Sequence, residues 1–252
     1  MNLFLFAHQD DEYGVFPLLE QLVGRRESIR VVYLTSGTLD GQRSERRNRE
    51  STDVLARIGI EETQIYFAGA DSKFPDGKLY QYAKEAAAAV VAFLENGVAP
   101  TRIYAPAWEG GHQDHDAAHI IACYLASRFG CLETSRQFPL YHGMGLPGIF
   151  WHTFLPMPSN GTVESFPIDW RQRFRCLRYG LRYRSQWSTW LGLYPMYTLY
   201  LLTRGRQYLQ PFSIARLRQP PHDGACLYER RGFCTQEQFR YHTKALVDEM
   251  CG

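Results

Sequence analysis

Leu3-Phe4-Leu5-Phe6-Ala7-His8-Gln9-Asp10-Asp11-Glu12 decides how this chain reads. Five apolar residues in succession, with no polar alternation, mark a short strand buried on both faces. The run then stops at an imidazole and three carboxyl groups. In an open α/β sheet, loops beyond the carboxyl ends of the strands are where functional groups collect. The stretch therefore predicts both a central strand and a candidate site.

Outward from it, strand and helix signals alternate. Residues 15–23 have helical spacing, closed by Gly24. Residues 29–35 are β-branched and apolar, a second strand, and Ser36-Gly37 marks a turn. Residues 43–58 read as a helix with Val54, Leu55 and Ile58 as its apolar stripe. A third strand is expected at 64–67, an alanine-rich helix at 80–94 ended by Asn96-Gly97, a fourth strand at 102–105 and a helix at 117–128. Strands separated by such helices predict βαβ units, and so an α/β fold with a mostly parallel sheet and helices on both faces. The loops holding His8, Ser36, Asp71 and 106–115 then share one sheet edge.

The second half is broken by Pro139, Pro147, Pro156, Pro158 and Pro167 and reads as a loop-rich extension. Residues 169–184 look helical and carry six arginines. Their plain reading is a solvated face, their sharper one an anion contact. Residues 187–203 hold no charge and five aromatic side chains. They are read first as core or a subunit contact, next as an apolar wall for an acyl or lipid-linked group, and last as a membrane segment. At 17 residues, with an internal Pro195 and several polar groups, they are marginal for spanning a bilayer, and no transmembrane segment is expected. Arg182, Arg184, Arg204 and Arg206 flank the run and keep an interfacial role open.

The 252 residues suit one domain, 1–252, in which 1–130 form the α/β core and 131–252 shape a cleft. With 45% apolar and 21% charged residues, a disordered, collagenous or coiled-coil chain is excluded. A net charge of +2 argues against a dedicated nucleic-acid binder. Six scattered cysteines without CxxC spacing argue against a disulfide framework or a thiolate zinc cluster and are expected to be buried thiols. The N-terminus has no basic region before its short apolar run, so a cytoplasmic location is expected.

A second cluster, Gly110-Gly111-His112-Gln113-Asp114-His115, follows the fourth strand. Two loops of imidazoles and carboxylates at one sheet edge have a metal-site composition. Zinc takes such ligands, and a catalytic site keeps three of them plus water.

The first cluster resembles the AHPDDE motif of the PIG-L/LmbE-like zinc-dependent N-acetylglucosaminyl deacetylases, and the second their HxDH motif. Their order and their separation of about a hundred residues fit as well. The resemblance covers residues 1–125 well and weakens beyond. It implies a Rossmann-like fold and removal of acetate from an N-acetylated sugar or glycoconjugate. It implies zinc ligation by His8, Asp11 and His115, with Asp10 as general base. His112 would stabilise the oxyanion or act as general acid, oriented by Asp114. Iron(II) fits the same donors. Gln9 and Gln113 stand where the family usually has Pro. Gly110 stands where some members carry a Tyr that assists the transition state, and Tyr141 and His142 are candidates to replace it. Arg49 and Asp71 are expected as substrate contacts, against plain alternatives of a surface ion pair and a turn residue. The substrate could be anionic or lipid-linked, and a homo-oligomer is left open.

Two rival readings stand beside this one. His115-Asp116-Ala117-Ala118-His119 puts two imidazoles one helical turn apart, as in HExxH peptidases. The fold could also persist as a non-catalytic sugar-binding or scaffold protein.

Overall fold

The computed structural model describes residues 1–38, 44–95 and 97–251. Its elements run β1 (Asn2–Phe6), α1 (Phe16–Gly24), β2 (Ile29–Tyr33), α2 (Ser44–Ile58), β3 (Ile65–Tyr66), α3 (Ala68–Ser72), α4 (Ala83–Glu95), β4 (Arg102–Pro106) and α5 (Gln113–Arg128). The second half adds β5 (Arg136–Phe138), β6 (Tyr141–His142), β7 (His152–Thr153), β8 (Glu164–Pro167), α6 (Trp170–Gly180), α7 (Trp187–Thr203), β9 (Arg206–Pro211), α8 (Ile214–Leu217), α9 (Leu227–Arg230) and α10 (Gln236–Cys251). The expected helix start at Arg43 and the stop at Asn96 lie outside the described residues.

One sheet of seven strands runs in the order β3-β2-β1-β4-β5-β9-β8. The first five are parallel, and β9 and β8 continue the sheet antiparallel. This is the expected mostly parallel α/β architecture. Side chains alternate across β1: Leu3 and Leu5 enter one core, with α4, α5 and α10, while Phe4 and Phe6 enter the other, with α1, α2, α6 and α7. Both faces are covered, which is why the strand reads as an unbroken apolar run.

From β1 the chain proceeds to β2 and β3 on one side, then returns to β4 and β5 on the other. The carboxyl ends of β1 and β4 therefore flank the point where the strand order reverses, the place where such sheets form a crevice. Both motifs emerge there.

Several boundaries differ from the sequence reading. Helix α5 begins at Gln113, four residues before the expected start, because His112 caps it: its Nδ1 accepts from Asp114 N at 3.1 Å. The helix expected at 80–94 opens with a 3₁₀ turn, Leu79–Tyr82, before α4. The arginine-rich helix spans only α6. Asp169 caps its start, accepting from Gln172 N at 2.9 Å, and Gly180 closes it against the ring of Trp190. The arginines of this segment act partly on the protein itself. Arg175 pairs with Glu20, and Arg173 binds the carbonyls of Leu201 and Leu202 at the end of α7. The aromatic run is helix α7, with Trp190, Tyr197 and Tyr200 in the core. No helix among the described residues is long and apolar enough to cross a membrane.

Candidate metal and catalytic site

The loop after β1 is built by its own carboxylates. Asp10 sits at φ 119°, a left-handed position unusual for a residue with a side chain. It is held there because its N–H donates to Glu12 Oε2 at 2.8 Å, while the buried Glu12 takes the Tyr33 hydroxyl on its other oxygen. The turn splays the adjacent carboxylates apart. Asp11 turns back to accept from its own loop, His8 N to Oδ2 at 2.8 Å, and Asp10 faces α2 and α7.

His8, Asp11 and His115 come together. Asp11 Oδ1 lies 3.0 Å from His115 Nε2, and Oδ2 lies 3.6 Å from His8 Nδ1. The other ring nitrogen of His8, Nε2, is 3.1 Å from both Asp76 Oδ1 and Asp114 Oδ2. A bound metal would take the lone pair of Nδ1, the nitrogen on the Asp11 side. A ligating histidine that donates its remaining N–H to a carboxylate is the usual support of a metal site. Burial alone would raise the Asp11 carboxyl, but the imidazoles of His115 and His8 hold it well below the carboxylate range. Burial pulls the His8 imidazole down, yet Asp76 and Asp11 outweigh it and push it well above its ordinary value.

The ring nitrogens of His8, His112 and His115 also form a close cluster, within 4.8 Å of one another. His112 is a poor ligand within it. Its Nδ1 already accepts a backbone N–H, which assigns the proton to Nε2 and leaves no free lone pair. A second grouping, His8 with Asp76 and Asp114, is weakened because Asp114 is already used: it accepts from Gly77 N at 2.6 Å and Leu79 N at 2.9 Å. Four acidic side chains (Asp10, Asp11, Asp76 and Asp114) gather here with one guanidinium, Arg47, which pairs with Asp10 and Asp76. The donor set and this negative excess fit a divalent cation held by His8, Asp11 and His115.

Asp10 is gripped at both oxygens. Arg47 Nη2 donates to Oδ1 at 3.2 Å, and Trp190 Nε1 to Oδ2 at 3.1 Å. Burial raises its carboxyl, Arg47 opposes, Asp11 adds to the rise, and the result is about 7. His112 is pushed down to about 4 by burial and by the neighbouring His8, so it is neutral at pH 7.

The cleft has a volume of about 120 Å³. His8, Asp10, Asp11, His112, His115 and Tyr141 line it, together with Arg47 and Asp76, and Gln186, Thr189 and Leu193 close it from the second half. Tyr141 reaches it because β6 passes so close to Gly111 that a Cβ there would collide with the Tyr141 carbonyl oxygen. A Cβ at Gly110, itself at φ 70°, would lie 2.7 Å from Cys226 Sγ. This loop cannot supply a tyrosine, and β6 brings one in.

Four expected residues stand elsewhere. The Asp114 carboxylate faces His8 rather than His112, and it is only the Asp114 backbone N–H that meets His112. His142 follows Tyr141 on the strand, so it points to the other face, where its ring lies 5.2 Å from His152. Arg49 is exposed on α2, while Arg47, roughly 200° around the helix from it, enters the site. Asp71 is exposed on α3, and Asp76 is the acid that meets His8. His119 also turns away: its Nδ1 binds the Pro106 carbonyl at 2.9 Å and its Nε2 lies 3.4 Å from Cys123 Sγ, which removes it from a peptidase-like pair.

Arg47, Asp76 and Gln186 line the cleft and Trp190 bonds Asp10, although the sequence reading did not single them out. Arg47 had a signal, since Arg47, Ser51, Val54, Leu55 and Ile58 repeat at helical spacing and are all buried. Gln9 and Gln113 tie the motif loops down, Gln9 to Asn48 Oδ1 at 2.7 Å and Gln113 to the Gly77 carbonyl at 3.2 Å.

Residues 3–125 match the family described as PIG-L, GlcNAc-PI de-N-acetylase. Among solved structures, one similar to this chain is a deacetylase triple mutant of the teicoplanin biosynthetic pathway, with a TM-score of 0.63 at 16% identity, covering 83% of this chain and 96% of the other. Another is the zinc-inhibited form of teicoplanin deacetylase Orf2 (TM-score 0.62, 14% identity, 83% and 97% covered). The N,N′-diacetylchitobiose deacetylase of Pyrococcus horikoshii, complexed with an inhibitor, is also similar (TM-score 0.53, 16% identity, 84% and 82% covered). At these identities the likeness shows the fold. A comparison with curated proteins gave no match.

Proposed function

From the PIG-L family domain that residues 3–125 carry, we propose that this chain is a metal-dependent N-deacetylase that releases acetate from an N-acetylated sugar or glycoconjugate. The observation that carries this reading is the placement of Asp10 in one cleft with His8, Asp11 and His115. Zinc is the proposed metal, with iron(II) as a second fit to the same donors. When bound, zinc would supply Lewis-acid polarisation of the amide carbonyl and a water acidic enough to lose a proton near neutral pH.

The chain's own residues would do the rest. Asp10 receives the proton of the attacking water. Arg47 and Trp190 each occupy one lone pair of its oxygens and leave others free. A carboxyl raised to about 7 suits a group that takes a proton and returns it to a leaving amine. His112, neutral with its proton on Nε2, is suited to donate to the developing oxyanion rather than to begin as an acid. Tyr141 lines the cleft with a phenol that burial keeps protonated, a second donor. About 120 Å³ suits an acylamido end, with the rest of the substrate outside.

The same proposal takes residues 1–252 as one functional domain. Residues 1–130 bring the metal motifs and 131–252 shape the cleft, as Tyr141, Gln186, Thr189 and Leu193 support. A cytoplasmic location belongs to it as well, supported by five buried free cysteines.

The test measures metal content and acetate release from an N-acetylglucosamine conjugate in the same samples. The wild-type chain should hold about one zinc, and His8→Ala and Asp11→Ala should lose both zinc and release. Asp10→Asn should keep zinc and lose release. Full metal in the first two variants would overturn the reading.

A further inference from the structure

Helix α7 is apolar on two sides. One side, with Trp190, Leu193, Tyr197, Tyr200 and Leu201, is buried. On the other, Trp187, Leu191, Leu199 and Leu202 are between 44% and 71% exposed. Together with the exposed Pro195 they follow one another at four, four, four and three residues, a single ridge along the helix. A helix that is apolar all round belongs inside a protein or against a membrane.

The neighbouring helix extends the ridge. Trp170, Phe174 and Leu181, of α6 and the loop after it, are each more than half exposed, and the Trp170 and Phe174 rings lie 6.5 Å apart. Arg173 joins the two helices. Its guanidinium stacks 4.3 Å over Trp170 and binds the carbonyls of Leu201 and Leu202.

Charge selects the partner. The 53 residues 170–222 contain ten arginines, no lysine and no carboxylate. A charge of +10 there, against +2 for the whole chain, leaves −8 on the remainder. Arg171, Arg178, Arg184 and Arg204 are exposed and make no side-chain hydrogen bond or ion pair among the described residues.

We propose that the exposed face of α6 and α7 docks on an anionic lipid surface. Apolar side chains would enter the interface, the two tryptophans would sit at its boundary, and the free arginines would meet lipid phosphates. At 17 residues α7 lies on such a surface rather than crossing it. A two-fold contact between copies fits less well, because it would set the exposed Arg171, Arg178, Arg184 and Arg204 of one face against those of the other. The face neighbours the cleft, which α7 lines with Thr189 and Leu193. Docking needs neither metal nor turnover.

The experiment is co-sedimentation of the full chain with phosphatidylcholine vesicles, pure or enriched in phosphatidylglycerol. Binding to the anionic vesicles only is expected, falling as salt rises. Each of Arg171, Arg178, Arg184 and Arg204 changed to Gln should weaken it about fivefold. The double change Leu191→Glu with Leu199→Glu should weaken it tenfold or more. Both sets are exposed and should unfold at the wild-type midpoint, and Asp10→Asn should bind as wild type. Absence of binding to either vesicle, or binding that neither set reduces, would overturn the proposal. So would a vesicle-free dimer that Leu191→Glu dissociates.

Discussion

The indole Nε1–H of Trp190 donates to Asp10 Oδ2 at 3.1 Å, although the two residues stand 180 apart in sequence. One oxygen of the proposed base is therefore oriented by a helix of the second half. Trp190→Phe removes that donor and keeps an aromatic ring. A hydrogen bond to a charged group contributes about 1.5–3 kcal/mol, so kcat should fall at least tenfold while zinc content is unchanged. An unchanged kcat with a raised KM would assign Trp190 to substrate binding instead.

Arg47 and Arg49 should separate sharply. Arg47→Gln leaves Asp10 and Asp76 without their guanidinium, and losing one partner of a buried ion pair costs about 3–5 kcal/mol. Arg49→Gln, at an exposed position, should stay within about 0.5 kcal/mol. Urea unfolding of the two variants measures the difference.

Gly111→Ala places a methyl group onto the Tyr141 carbonyl oxygen, so β6 must move. A loss of ~2 kcal/mol or more is expected, with reduced turnover as Tyr141 leaves its place. Gly24→Ala meets no atom within 4 Å and serves as the control, neutral or slightly stabilising.

Acid should remove the stability contributed by histidines buried in the neutral form, while the buried carboxyls of Asp116 and Glu109, raised by burial to about 7 and about 8, act in the opposite direction. Burial pushes His119 down to about 4. His142 is likewise pushed down to about 4, by burial and then by His152 and His222. Below the unfolded value of about 6.5 the unfolded chain takes up protons that the folded chain refuses. Their contribution is complete above that pH and falls as pH drops toward about 4, with a slope of ~1.4 kcal/mol per unit for each histidine. His119→Gln should reduce the slope of the urea midpoint against pH in this window.

What could be read from the sequence follows from how local each signal is. Strand β1 and the metal motif declare themselves because a doubly buried strand and a tight loop of ligands are short-range patterns. Arg47 was obscured by its neighbours: four arginines lie within residues 43–49, and helical phase is what distinguishes Arg47, which turns inward, from the exposed Arg46 and Arg49. Asp76 stands in a turn with Gly77, a setting that in sequence signals only the turn. Its meeting with His8 depends on how the segment before α4 folds over the sheet edge. The target of Asp114 was misjudged for a related reason. A residue two places from His112 on a helix start projects elsewhere, and its carboxylate meets the β1 loop instead. Trp190 lay in a run whose composition suggested core, and composition alone cannot show which ring carries a directed hydrogen bond.

The grip on Asp10 from both sides has a consequence for how this site can be divided. Arg47 arrives from within residues 3–125, whereas Trp190, Gln186 and Tyr141 do not. A fragment ending at residue 125 would keep every proposed metal ligand and the base, yet leave that base tethered at one oxygen. The proposed metal ligands and the second grip on the base therefore lie on opposite sides of residue 125. If the two pieces were produced apart and mixed, acetate release would return only as the second piece reseated its indole on the first, and its recovery would report their reassembly.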